Sequence, residues 1–475
     1  MSLSFAWFYP VRRGVIAFDD IGAILHWTAD PSLSLLDQTL LDTYSNRWRP
    51  VFSTLFTVLT HFFGMHYQAY FWFNVGLTAV LVSLVFLTAL KISSRPALSF
   101  GVAIVTLTTR FSYYQVTQVI GGPLEALCLI ILVLFLAATI EFERKGRKAQ
   151  LTMAFVFYVL IVHTHERYSL LVVFLIAFIA TSRHLTKQSK MAWAMLSLAP
   201  IAFGVAIRAF VFHIPILVGT GSSQSLGFNW RTAVEFFFES ALNVLGLNVG
   251  PGYLDGAMTF PGMSLPFRIA SLALMTISLA FVVFAVAARR RGHRFSIVAG
   301  GPERVVFLGV VLIGTLIASF SVTIRVEPRW FYSPFVVLLL LLTYCASWLL
   351  DQDRGEQAVA VSCTAFLAMS LMLDGLYAGS LSGVYFMAQR DRASVIVQET
   401  FGRHGADLMS HPIFVIDPSP GSDWAKELTP MLRANSGLVV TSISTVASAA
   451  AIPSVPRPLV FDTTGGFHEV GPPTG

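Results

Sequence analysis

Ten apolar runs dominate the chain between residues 67 and 376, and short loops that hold most of the local charge separate them. A helix needs about 20 apolar residues to cross the hydrocarbon core of a bilayer, and a helix satisfies its own backbone there. The runs fall at 67–90, 97–116, 123–142, 151–163, 168–182, 191–212, 267–288, 304–322, 332–350 and 357–376. Only 12% of the residues are charged, against about 25% in ordinary globular domains. A soluble fold with a polar surface is thereby excluded. The chain reads as an all-α polytopic membrane protein of about ten transmembrane helices.

The net charge of +6 would suggest an anionic macromolecule in a soluble protein, but here the basic residues sit in the loops and follow their alternation. Loops assigned to the cytoplasm hold Lys91 and Arg95, the Arg144–Lys148 group, Arg183, Lys187 and Lys190, the Arg289–Arg304 group, and Arg354. The alternate loops hold Arg110, Arg167, Arg231, Arg325 and Arg329, so the count is fifteen against five. This is a topology signal, and no nucleic acid is expected as a partner. The same alternation splits 151–182 into two short spans at His163-Thr164-His165-Glu166-Arg167, because a single span would put Arg289 to Arg294 outside. With Asp19 and Asp20 outside, either a membrane helix precedes Met1 or the first residues insert by another route. No secretory signal peptide is visible. Cys128, Cys345 and Cys363 all fall in apolar runs and give no disulfide framework.

The membrane domain is 1–382, with a first outer loop at 17–50 and another at 213–266. Within it Val51 to Gly64, 14 residues long, is too short to span and reads as an interfacial or re-entrant helix. Residues 383–475 are ordinary in polarity and read as a small extracytoplasmic α/β region. Strands are expected at Pro412 to Ile416 and Gly437 to Val440, with a helix containing Trp424 between them and a loose tail from Pro453.

Ionisable groups inside lipid are expensive, so those in spans are candidates for function. Glu125, His163, Arg208 and Asp374 all lie near the outer ends of their spans, none at mid-depth. A transporter concentrates its coupling groups near the bilayer centre, whereas an enzyme acting on a lipid headgroup gathers them at one face. The outward-facing arrangement favours the second.

Asp19 and Asp20 between apolar flanks can serve as a general base or hold a divalent cation, or they can cap a helix that starts near Ile21. His163, His165 and Glu166, beside Arg167, can orient a substrate, hold a metal, or stabilise a turn. Arg325, Arg329 and Tyr332, beside Glu327, can bind a phosphate bidentately or anchor the span among lipid headgroups. Tyr113 and Tyr114 suit either an aromatic belt or a platform for stacking a sugar.

Taken in order, Phe18-Asp19-Asp20, then Arg49-Pro50 with an amphipathic helix ending at Phe63-Gly64, Tyr113-Tyr114, His165-Glu166 and Arg329-Trp330-Phe331-Tyr332 resemble the GT-C superfamily of membrane glycosyltransferases. The resemblance covers roughly residues 17–350 and rests on order and sidedness. It implies a polyprenyl-phosphate sugar donor and a glycan or lipid-linked acceptor, with transfer at the outer face of a bacterial cytoplasmic membrane. Asp19 or Asp20 would be the base or a metal-linked carboxylate, Arg329 would contact the donor phosphate, Arg49 would be among the substrate-binding residues, and a divalent cation is an open cofactor. Three other readings stay open: a surface-polysaccharide polymerase or ligase, a lipid-linked-substrate transporter, and a non-catalytic assembly partner.

Overall fold

The computed structural model describes residues 19–28, 34–43, 46–64, 66–119, 121–216, 229–247, 264–290, 301–322, 327–351, 356–378, 385–419, 421–440 and 442–471. The first longer helices are α1 (Asp19–Thr28) and α2 (Pro50–Phe63), with a short helical turn at Leu35–Thr39 between them. A bundle follows, made of α3 (Tyr67–Ser93), α4 (Pro96–Thr108), α5 (Gly121–Lys145), α6 (Lys148–Thr164), α7 (Leu171–Thr181) and α8 (Lys187–Ala206). It continues through α9 (Trp230–Val244), α10 (Leu265–Arg290), α11 (Pro302–Ser321), α12 (Tyr332–Leu350) and α13 (Glu356–Ala378). Seven of these helices, α3, α5, α8, α10, α11, α12 and α13, are long and apolar enough to cross a membrane, while α2, α4 and α6 are apolar but shorter. The protein is therefore an all-α membrane protein with a small C-terminal sheet.

Local sequence sets the breaks between helices. Pro50, Pro96 and Pro302 stand in the first turns of α2, α4 and α11, where a backbone N–H has no helical partner to lose. Ser94, left-handed at φ 56°, closes α3 before Pro96 restarts the chain. α5 and α12 form the centre, with 72% and 78% of their apolar windows buried, whereas α8 and α13, at 17% and 22%, lie at the periphery.

Lipid is as apolar as leucine, so hydrogen bonds and close packing hold such helices together. Tyr332 Oη donates to Thr106 O at 2.6 Å, Ser347 Oγ to Ser93 O at 3.1 Å and Tyr158 Oη to Ser197 O at 3.0 Å, while Tyr168 Oη and Ser333 Oγ lie 2.6 Å apart. Each is worth about 0.6 kcal/mol.

Two ends of the bundle carry its ion pairs. At the lower end Lys91 and Lys145 meet Glu141 at 2.7 and 2.6 Å, Arg95 meets Asp351 at 3.0 Å, and Arg304 pairs with Glu143. At the upper end lie the pairs made by Arg49, Arg167 and Arg329. Among the described residues, every ion pair of the bundle belongs to one end or the other.

The span expected at 97–116 stops at Thr108. Asp374 of α13 accepts from Arg110 N at 3.2 Å and from Thr108 Oγ1 at 3.1 Å, and Arg110 Nη2 donates to Asn243 O at 3.1 Å. Those contacts turn the chain inward through two short helical turns, Arg110–Ser112 and Tyr113–Thr117. Between α6 and α7 the helix breaks at His165, which is extended at φ −150° and precedes a tight turn over Glu166–Leu170.

The C-terminal region contains α14 (Tyr385–Val397), α15 (Trp424–Ser436) and four strands: β1 (Ile413–Ile416), β2 (Ile443–Val446), β3 (Leu459–Asp462) and β4 (His468–Val470). Their order is β2-β1-β3-β4, parallel except for the β3–β4 pair. Two expectations are corrected here. Gly437 to Val440 is not a strand, because Gly437 takes φ 74° and caps α15 by donating to Arg433 O, so the strand begins only at Ile443. The segment after Pro453, expected to be loose, supplies β3 and β4. Its Val460 and Phe461 are buried, and Phe461 stacks on Phe467 at 5.1 Å. α15 also packs on α1, and Ala434 and Met431 join the bundle core there. The appendage thus meets the upper end.

Candidate functional site

Three arginines from two parts of the chain converge on one carboxylate. Arg49 donates twice to Glu166, from Nε to Oε2 and from Nη2 to Oε1, both at 2.7 Å. Arg47 Nε stands 3.7 Å from Oε1, and Arg208 Nη2 stands 4.0 Å from Oε2. Arg208 is 6% exposed; its Nη1 donates to Ile216 O at 2.8 Å, and its Nη2 finds no hydrogen-bond partner among the described residues.

Local structure explains this meeting. Pro50 starts α2, and the chain before it holds Trp48 by a bond from Nε1 to Leu40 O at 2.7 Å. The Trp48 ring packs against His163, Phe203 and Phe212. On the facing turn, His165 Nδ1 accepts from Arg167 N at 3.2 Å. That bond fixes the turn and sends its two consecutive charged side chains to different partners. Glu166 goes to Arg49, and Arg167 goes to Glu125 at 2.5 Å.

The turn lies outside the membrane-crossing helices, and its charges perturb one another. Burial raises Glu166, but the Arg49 charge and then its neighbours outweigh burial and hold the carboxyl well below its usual range. Burial lowers His165, with Arg49 adding to the effect, so the imidazole is neutral at pH 7. Arg47 is brought down to about 10, first by burial and next by the charge of Arg49. These shifts share one cause, excess positive charge in a poorly solvated place.

A second group adjoins the first. The Arg167 guanidinium lies 5.3 Å from the centre of the Trp330 ring, and Arg329 stacks on Tyr114 at 4.2 Å while pairing with Glu327 at 2.5 Å. The two glycines that open α5 leave room for Tyr114 and its loop. A Cβ on Gly121 would overlap Tyr114 Oη, and one on Gly122 would overlap Gln115 O and lie 2.8 Å from Asn74 Nδ2. Asn74 Nδ2 in turn donates to Gln118 O at 2.7 Å.

Asp20 docks on this loop. Its carboxylate, 3% exposed, accepts from Val119 N at 2.6 Å. That bond to Oδ2 ties the start of α1 to the chain before α5. Among the described residues, no three His, Cys, Asp or Glu side chains come together as metal ligands. Asp19 opens α1, its side chain lying outside the described residues, as does all of Arg325.

The structure brings together Arg49, His165 and Glu166, and sets Tyr114 with Arg329 beside them. It places the other candidates apart from that pair of groups, one half-buried and two buried. His163 packs on Trp48 and Phe203 at 5.4 and 5.9 Å, Tyr113 is buried, and Tyr332 is wholly buried with its hydroxyl on Thr106. Arg47 and Arg208 join the cluster although sequence alone does not single them out as a pair. The only signal for Arg208 is a guanidinium inside an apolar run.

No protein-family model matches the sequence, and no curated protein matches it.

Proposed function

We propose that this chain is a membrane glycosyltransferase of the GT-C type that moves a sugar from a polyprenyl-phosphate donor to a glycan or lipid-linked acceptor at the outer face of a bacterial cytoplasmic membrane. The observation that carries the reading is the convergence of Arg47, Arg49 and Arg208 on Glu166, at the same end of the bundle as Asp20. Three guanidinium groups around one carboxylate leave a net positive field in a largely buried setting, which suits a phosphate better than any neutral ligand. A transporter of such a lipid would want charge at mid-depth, and the ion pairs lie at the ends.

In this reading the acceptor oxygen bonds to the anomeric carbon as the bond from that carbon to the lipid phosphate oxygen breaks. The acceptor proton passes to a carboxylate of the Asp19–Asp20 pair, and the departing phosphate keeps its electron pair against the arginines. The polyprenyl chain stays in lipid. Ten traverses belong to the same reading. Contacts at both ends support them, with α3 meeting α5 at Lys91–Glu141 below and the chain just before α5 at Asn74–Gln118 above, so that the short α4 must return the chain from one end to the other.

The bond from Val119 N favours a second role for Asp20, that of a lock on the loop before α5. One experiment separates the two. Membranes with equal amounts of wild type, Asp20→Asn or Arg208→Ala receive labelled polyprenyl-phosphate sugars, and free polyprenyl phosphate is measured beside melting temperature. The proposal expects release by wild type, loss in Asp20→Asn at an unchanged melting temperature, and a raised donor KM in Arg208→Ala. Loss that follows unfolding makes Asp20 the lock, and no release by wild type from any hexosyl or pentosyl donor sinks the enzyme reading.

A further inference from the structure

α9 is divided lengthwise into three sectors. With about 100° between successive residues, Trp230, Val234 and Phe238 share one stripe, and all three are exposed, at 63%, 47% and 62%. The next sector round the helix holds Arg231, Glu235 and Glu239. The third holds Ser240, Asn243 and Val244, which are buried, and the helix packs against α11, α12 and the Pro328–Phe331 turn. A helix between protein and water needs two faces. An exposed apolar face beside a charged one needs a third medium.

Its neighbour identifies that medium. α11, against which α9 packs, carries an exposed Val310 at 56%, and an exposed Val322 follows its last residue. α11 is long and apolar enough to cross a membrane, so its exposed apolar residues face acyl chains, and α9 packs directly on this helix. A large aromatic at the start of the stripe and charges one sector away suit the boundary between acyl chains and headgroups.

We propose that α9 lies in the membrane interface and binds the lipid leaflet, with Trp230, Val234 and Phe238 in the acyl region and Arg231, Glu235 and Glu239 among headgroups and water. The partner is bilayer lipid itself. The turn that carries Arg329 is then backed by a helix seated on the membrane surface, which ties the depth of that guanidinium to the leaflet. This inference does not depend on any reaction the protein performs.

The test uses the full chain in vesicles of phosphatidylcholine and phosphatidylglycerol, with single cysteines at Val234→Cys, Phe238→Cys or Glu235→Cys carrying an environment-sensitive fluorophore. Cys128 and Cys345 are buried and stay in place, while the half-buried Cys363 is replaced by alanine. Labels at 234 and 238 should be quenched severalfold more by a spin-labelled lipid than by a soluble quencher, and the label at 235 should show the reverse order. Equal quenching of all three by the soluble agent overturns the proposal. Quenching of 234 and 238 by neither agent also overturns it, because protein then covers the stripe. A photo-crosslinking residue at Phe238 in an otherwise unaltered chain gives an independent reading. It should yield lipid adducts, and an adduct to a second copy of the chain overturns the proposal.

Discussion

Glu166 and Arg167 are neighbours in sequence, yet their ion pairs differ in what removal would leave behind. Arg167 pairs with Glu125 where the side chains are 9% and 5% exposed, whereas Arg49 and Glu166 are 12% and 29% exposed and have Arg47 and Arg208 nearby. Arg167→Met strands a buried carboxylate and should cost roughly 3–5 kcal/mol, while Arg49→Met leaves Glu166 two other cations and should cost clearly less. Thermal unfolding in detergent ranks the two variants, and adding Glu125→Met to Arg167→Met should restore much of the loss. An Arg49→Met loss as large as that of Arg167→Met defeats the argument. His165 adds a pH dependence. Its folded-state value lies well below the ordinary 6.5, so the unfolded chain takes up a proton that the folded chain refuses. The stability from this group is present above 6.5 and declines as pH falls below it. His165→Asn keeps an acceptor for Arg167 N, and its melting temperature should fall less than that of wild type between about pH 7.5 and 5.5.

The start of α5 shows how a short element can set a larger one. Gly122 has the Gln115 carbonyl where a methyl group would sit, and backbone cannot step aside cheaply. Gly121 faces only the outer end of the Tyr114 ring, which can move. Gly122→Ala should therefore cost roughly 1–3 kcal/mol in thermal stability. Gly121→Ala should cost less and instead shift Tyr114 from under Arg329, which a change in KM for the proposed donor at near-normal stability would reveal. Equal losses in the two variants would refute this division. Elements of this kind are also where sequence reading reached its limit. Apolar runs announce the long helices, and the polar cluster at His165 announces the break after α6. The end of α4 depends on Asp374, far along the chain, and no local pattern at 109–116 contains it. β3 and β4 read as tail because Pro and Gly surround them, yet β3 pairs with β1 and β4 with β3. In the site, Glu166 and Arg49 stand out as charges in apolar surroundings. Arg47 and Arg208 acquire their meaning only from sharing Glu166, and no local pattern at His163 contains its contact with Trp48.

At the scale of the whole molecule, the contacts fix which ends go together, independently of which side is outside. α15 packs on α1, whose Asp20 accepts from Val119 N, and Arg110 beside that loop donates to the end of α9. The appendage, α9 and the Glu166 cluster therefore share one side. Lys91, Glu141, Arg304 and Asp351 join the opposite ends of α3, α5, α11 and α12, and Lys148 and Lys187 start helices that rise from that end. A membrane-impermeant maleimide applied to intact cells tests this directly, with single cysteines replacing residues that are exposed in the fold. Lys426→Cys in the appendage and Arg231→Cys on α9 should react together, and Lys148→Cys and Lys187→Cys should react only after the membrane is opened. The reverse pattern would keep the bundle and turn it over, moving the arginine cluster to the cytoplasmic face and with it the side on which the proposed lipid-linked donor would be presented. Reaction of Lys426→Cys and Lys187→Cys from the same side would be a deeper failure. It would mean that an odd number of the five helices between these positions, α8, α10, α11, α12 and α13, fails to carry the chain across.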